Sequence, residues 1–158
     1  MTYWAMKSEP ETYSIFDLQE ASPAIWEGCR NYQVRNWMRD AMEPGDLALF
    51  CNSNSKPSGP AGVMRVVGEA VADPTQFDPS SPYYDAKATH ESPRWVAPTV
   101  EFVCAFAAAV PIGDLKKLPE LEGMFYLKKG LMFSVVPIEK REFEFVVELA
   151  GVKVKELG

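Results

Sequence analysis

Leu47-Ala48-Leu49-Phe50-Cys51 is an unbroken apolar run, set between the turn signal Pro44-Gly45-Asp46 and the polar tract Asn52-Ser53-Asn54-Ser55-Lys56-Pro57-Ser58-Gly59-Pro60. Apolar residues without alternation suit a strand covered on both faces. The tract that follows reads as a loop at the mouth of a site. Gly62 to Val71 then predicts a long strand, with Gly68 as a bulge. A doubly covered strand beside a long one puts a sheet at the centre of the fold, and the rest of the chain must cover it.

Toward the amino end, Tyr3-Trp4-Ala5-Met6 predicts a buried first strand that stops at Lys7-Ser8-Glu9-Pro10. Ser14 with Asp17 is a helix-start pattern, and Ser22-Pro23 ends that helix. Asn31 is placed to cap a helix over Tyr32 to Met42, with Val34, Trp37, Met38 and Ala41 on one face. Arg35 and Arg39 share another face, and Arg30 lies just ahead of the helix.

Toward the carboxyl end, Asp73 to Pro93 carries no periodic pattern over about twenty residues, a length at which loops are functional or partly disordered. Trp95 to Ala108 alternates like a strand, with Val100, Phe102 and Cys104 on one face. Leu115, Leu118 and Leu121 predict a short helix, Met124 to Lys129 a turn, and Leu131 to Val136 a last strand ending at Pro137. Ile138 to Ala150 predicts an amphipathic helix with Phe143, Val146, Val147 and Ala150 on its stripe, Glu142, Glu144 and Glu148 off it, and Gly151 as its cap. Strands of mixed spacing with peripheral helices make an α+β domain on a small, strongly curved sheet or barrel.

The chain has 158 residues, 47% apolar and 24% charged, which fits one domain over 1–158 that needs neither disulfide nor metal for stability. Sixteen Lys and Arg against twenty-two Asp and Glu leave a net charge of −6. That balance excludes coating of phosphate backbones by bulk attraction, so any nucleic-acid contact must come from a local patch. Cys29, Cys51 and Cys104 form no CxxC pair and His90 is the one histidine, so no zinc framework is expected. Reduced thiols in a cytoplasmic monomer are the expectation, with no signal peptide and no membrane partner.

The same inventory thins out catalysis. A hydrolase triad would need a base near its nucleophile, yet His90 sits in a polar loop and no G-x-S-x-G occurs. Neither a Walker loop nor a dinucleotide fingerprint is present. Glu9 with Glu11, and Glu142 with Glu144, read as solvated carboxylates rather than acid–base pairs. What remains is an aromatic and amide set: Trp4, Trp26, Tyr32, Trp37, Tyr83, Tyr84 and Trp95 with Asn31, Asn52, Ser53, Asn54, Arg30 and Arg35. Flat apolar surfaces stack a base, for roughly 1–3 kcal/mol, and amides read its edge. Trp37 is expected in the core, Trp4 is divided between core and site, and Trp26 falls on the site side.

Tyr3-Trp4-Ala5-Met6-Lys7-Ser8-Glu9-Pro10, Tyr13-Ser14-Ile15-Phe16-Asp17-Leu18 and Trp26-Glu27-Gly28-Cys29-Arg30-Asn31-Tyr32-Gln33-Val34-Arg35-Asn36 together resemble the EVE domain family. Asn52-Ser53-Asn54, Tyr83-Tyr84-Asp85, Pro93-Arg94-Trp95 and Phe133-Ser134-Val135-Val136-Pro137 continue the resemblance in order. It implies a PUA-like β-barrel with flanking helices, related to the YTH readers of methylated adenine. It also implies a non-catalytic pocket, without cofactor or metal, for a modified base in DNA or RNA, such as methylated or hydroxymethylated cytosine or methylated adenine. By that resemblance Lys7 and Ser8 would line the pocket, Trp26 would stack, and Arg30, Asn31, Tyr32 and Arg35 would face base edge or phosphate. Ser53, Asn54 and Ser134 would close it. Where the family usually shows Tyr-His, this chain has Cys51-Asn52, which replaces a titratable ring by an amide. The alternatives are a small enzyme acting on a modified base or nucleotide, and a protein-interaction domain with a vestigial pocket.

Overall fold

The computed structural model describes residues 1–157. Its strands are β1 (Tyr3–Ser8), β2 (Ala24–Ile25), β3 (Leu47–Asn52), β4 (Gly59–Val66), β5 (Val71–Ala72), β6 (Val96–Ala97), β7 (Thr99–Ala105) and β8 (Val135–Ile138). Six of them form one sheet in the order β2-β7-β4-β3-β1-β8, curled into a half-barrel, while β5 and β6 pair separately. β1 and β3 run parallel, with Lys7 opposite Cys51 and Ser8 opposite Asn52, so their carboxyl-terminal ends meet at one edge of the barrel. The helices are α1 (Ile15–Ala21), α2 (Tyr32–Asn36), α3 (Ile112–Leu115) and α4 (Lys140–Leu149).

β3 is covered on both faces as its composition requires. Ala48 and Phe50 join the cluster containing Trp4, Leu18, Trp26 and Val34, whereas Leu49 and Cys51 join the cluster beneath α4. Trp4 is fully buried and donates its indole N–H to Asp46 Oδ2 at 3.0 Å. The same carboxylate accepts from the backbone of Thr2 and of Glu43, tying the start of β1 to the turn before β3. Trp4 is therefore core, and Trp37 packs edge-on against Phe125 and Phe133 as a partly buried residue.

Several expected boundaries move, each for a local reason. The helix expected over Tyr32 to Met42 is five α-helical residues followed by a π-helical turn, Trp37–Ala41. β4 begins at Gly59 and ends at Val66, so Gly68 is not a bulge. The sheet irregularities fall instead between Phe50 and Cys51 and between Val63 and Met64. The second of these shifts the facing strand, which leaves Val100 and Phe102 in one core and turns Cys104 toward the other. Pro98 splits the expected strand from Trp95 into β6 and β7, and Pro119 breaks the leucine helix into α3 and a short 3-10 turn. The last strand starts at Val135, not Leu131. Glu142 is buried rather than solvated, because its Oε1 caps α4 by accepting the Glu139 N–H at 2.8 Å.

Among the described residues no helix is long and apolar enough to cross a membrane. The three cysteines are all free thiols. Burial pushes the Cys51 thiol up to about 12 and raises that of Cys29, so neither is a ready nucleophile.

Candidate nucleic-acid interface

The residues named from the sequence gather into two groups that meet at Cys29. The first lies where β1 and β3 end. Lys7 N–H donates to Ser134 O at 2.8 Å, Ser53 N–H donates to Ser8 O at 2.9 Å, and Cys29 Sγ lies 3.7 Å from Ser134 Oγ. Asn52 Oδ1, at the end of β3, and Tyr13 Oη, in the loop before α1, are buried side-chain atoms with no hydrogen-bond partner in the protein. The Tyr13 main-chain carbonyl accepts from Ser8 Oγ at 2.7 Å, while the charges acting on its hydroxyl are those of Asp17 and Glu27. Buried polar atoms are nearly always paired, so the orphaned Asn52 Oδ1 at the end of β3 marks a group available to a ligand. Desolvation lowers the Lys7 pKa, against a smaller opposing effect of Cys51. Asn54 turns outward and donates to Glu9 Oε1 at 2.7 Å.

The second group is a ladder of alternating cations and rings along the long loop. The Arg35 guanidinium lies 4.8 Å from the centre of the Tyr32 ring, and Tyr32 stacks on Trp95 at 4.8 Å. On the far side Arg30 lies 5.4 Å from Trp95 and 5.6 Å from Tyr83. Arg94 donates to Tyr32 Oη and pairs with Asp85, which also accepts the Trp95 indole N–H at 2.8 Å. Tyr32, Tyr83 and Tyr84 remain exposed. Such rings and guanidinium planes are surfaces on which bases and sugars settle.

Arg30 has a different job from the one expected. Its donors make five bonds inside the protein, to Tyr83 O twice, Cys29 O, Thr75 Oγ1 and Asp73 Oδ2. None is left for a phosphate; Arg30 instead fastens the loop to the strand-to-helix turn. Asn31 Oδ1 is likewise committed, accepting the Val34 N–H as the α2 cap. Arg35 makes three such bonds, through Nε and Nη2 to Asn36 Oδ1 and through Nη1 to Arg94 O, and keeps two N–H groups free. Trp26 is buried, with 8% of its surface exposed, and its ring meets Phe50 edge-on at 5.5 Å. It belongs to the core at least as much as to any pocket wall.

Sequence reasoning missed the residues that order the rim. Asp73, fully buried, accepts from Gly28 N–H at 2.8 Å, Arg30, Thr75 N–H and Thr75 Oγ. Burial works against its charge, but hydrogen bonds from Thr75, Gly28 and Arg30 outweigh it and hold the carboxyl below the usual range. The same Asp73 charge, after desolvation, raises the pKa of Glu27. Gln76 uses both ends of its amide, donating to Asp73 O and Trp95 O and accepting from the N–H groups of Arg94 and Trp95. Gly28, at φ +94°, has the Tyr83 ring 2.9 Å from where a Cβ would stand, so the loop closes onto a glycine. The available signal was Asp73-Pro74-Thr75, an Asx-turn sequence at the loop start. His90, in the same loop, is exposed and stacks on Phe77 at 4.0 Å.

The model of the EVE domain matches residues 2–149. The chain is a member of the EVE domain family. Human thymocyte nuclear protein 1 is 37% identical to this EVE domain over 166 aligned residues, covering 94% of this chain and 73% of that protein. A crystal structure of a protein from Pseudomonas syringae is 41% identical, superposes with a TM-score of 0.89, and is covered over 94% of this chain and 99% of that one. A crystal structure of the human THYN1 protein in complex with 5-methylcytosine-containing DNA is 36% identical, with a TM-score of 0.86 and coverage of 95% and 98%. The curved sheet of this EVE domain is accordingly the PUA-like architecture that its motifs implied. A surface cleft of 380 Å³ lies at the other end of β1, lined by Met1, Thr2, Tyr3, Ile138 and Lys140, and includes no residue of the two groups.

Proposed function

We propose that this EVE domain is a non-catalytic reader of a modified base in DNA, which it accepts at the edge where β1 and β3 end. The observation that carries the reading is the unpartnered buried Asn52 Oδ1 at the end of β3, on the residue paired with Ser8 and next to Ser53, where Lys7 and Ser134 also meet. An unpaired amide acceptor at that edge suits the exocyclic amine of a base removed from its stack. The complex of a human relative with 5-methylcytosine-containing DNA supports the same chemistry here. The suppressed acidity of Cys29 and Cys51 supports binding over covalent catalysis. Arg35, with two donors free over Tyr32, holds the adjoining phosphate, and RNA is the competing ligand to be compared in the same assay.

Arg35→Ala should weaken binding to a methylated oligonucleotide far more than to the free nucleoside, and should flatten the salt dependence by about one phosphate contact. Titrations at several salt concentrations read both quantities. Equal losses on nucleoside and oligonucleotide would remove Arg35 from the backbone and place it at the base.

A further inference from the structure

Between the last 3-10 turn and β8 runs Lys128-Lys129-Gly130-Leu131-Met132-Phe133-Ser134. Met132 at its tip is 86% exposed, more than any other large apolar side chain described. One exposed apolar residue is ordinary; the position of this one is not. Leu131 on one side is held by Lys7, whose Nζ lies 3.5 Å from its carbonyl. On the other side Phe133 packs edge-on against Trp37 at 5.3 Å, and Ser134 bonds to Lys7 and approaches Cys29. A free methionine thus projects from a loop whose neighbouring residues are anchored to the proposed base site.

The loop also concentrates positive charge on a chain whose net charge is −6. Lys128 and Lys129 are exposed, and among the described residues neither has a carboxylate within 4.0 Å. Lys128 also lines a 480 Å³ cleft of mixed charge with Lys116 and Glu122 beside Leu121, Met124 and Phe125, so the unpaired positive charge at the loop is that of Lys128 and Lys129. Pairing two adjacent lysines with a lone apolar tip meets what a duplex presents when one base leaves it, namely phosphates around an unstacked gap.

We propose that Met132 is the insertion residue of this reader: it enters the base stack beside the extruded nucleotide, while Lys128 and Lys129 hold the flanking phosphates. The inference rests on the modified-base reading above. Opening a stack costs a few kcal/mol, least in a single strand, and an apolar wedge offsets part of that cost only in a duplex. An unbranched thioether adapts to whichever steps flank the gap.

The test measures anisotropy of a labelled duplex carrying one 5-methylcytosine and of its isolated methylated strand, with wild-type, M132A, M132L and K128A/K129A proteins. The ratio of duplex to single-strand affinity should fall roughly tenfold in M132A, be largely restored in M132L, and the double lysine variant should lose about two units of salt slope. An unchanged ratio in M132A, or equal losses on both ligands, overturns the insertion role while leaving the base-reading proposal standing. Absence of methylated-strand binding by the wild-type protein overturns both.

Discussion

Asp73→Ala is expected to destabilise the protein by about 3 kcal/mol, the lower end for breaking a buried ion pair because Arg30 keeps 22% of its side chain exposed. The truncation strips an acceptor from Gly28, Arg30 and Thr75 at once and leaves a guanidinium without its charge partner. Denaturant unfolding reads the loss, and increased proteolysis between Asp73 and Trp95 would locate it. The pH dependence has a definite sign. Because the folded carboxyl titrates below its unfolded value, its contribution is complete above pH ~3.9 and disappears as pH falls through the lower native value. The advantage of wild type over Asp73→Asn should therefore be full at neutral pH and shrink below about pH 4. A constant difference between pH 7 and pH 3 would mean that the carboxylate charge is not what holds the rim.

Trp26→Ala is the second large effect, expected at about 3–5 kcal/mol, since the indole is almost wholly buried against Phe50 and leaves a cavity the size of its ring. Any binding loss in that variant would be confounded with unfolding. Trp26→Phe keeps a ring in the core and isolates the surface edge: thermal unfolding should move little, and affinity for a methylated oligonucleotide should change only if that edge meets the base. Were Trp26→Ala to unfold at the wild-type midpoint, the tryptophan would be a pocket wall rather than core.

Local signals served well where burial and spacing were decided by neighbours in sequence. β1 and β3 were readable because strands covered on both faces carry continuous apolar runs, and α4 because its stripe repeats over ten residues. Motif order along the chain, from Tyr3-Trp4 to Ser134-Val135, was readable as a family resemblance and fixed the barrel. The fate of Arg30 was not, because its partner lies 43 residues away across a loop without periodicity. Cys104 changed face through an irregularity in the strand pairing, which no alternation count reveals. Asn52 looks like an ordinary loop residue in sequence; only the pairing of β1 with β3 brings it opposite Ser8, with its Oδ1 buried and without a partner.

The affinity of the wild-type protein for two duplexes identical except for one methyl group, cytosine against 5-methylcytosine, measured at one salt concentration, tests the central claim most directly. A methyl group seated in a shaped pocket predicts at least roughly tenfold tighter binding of the methylated duplex, with the DNA recovered intact. Equal affinity for the two, or release or cleavage of the base, would contradict a non-catalytic modified-base reader.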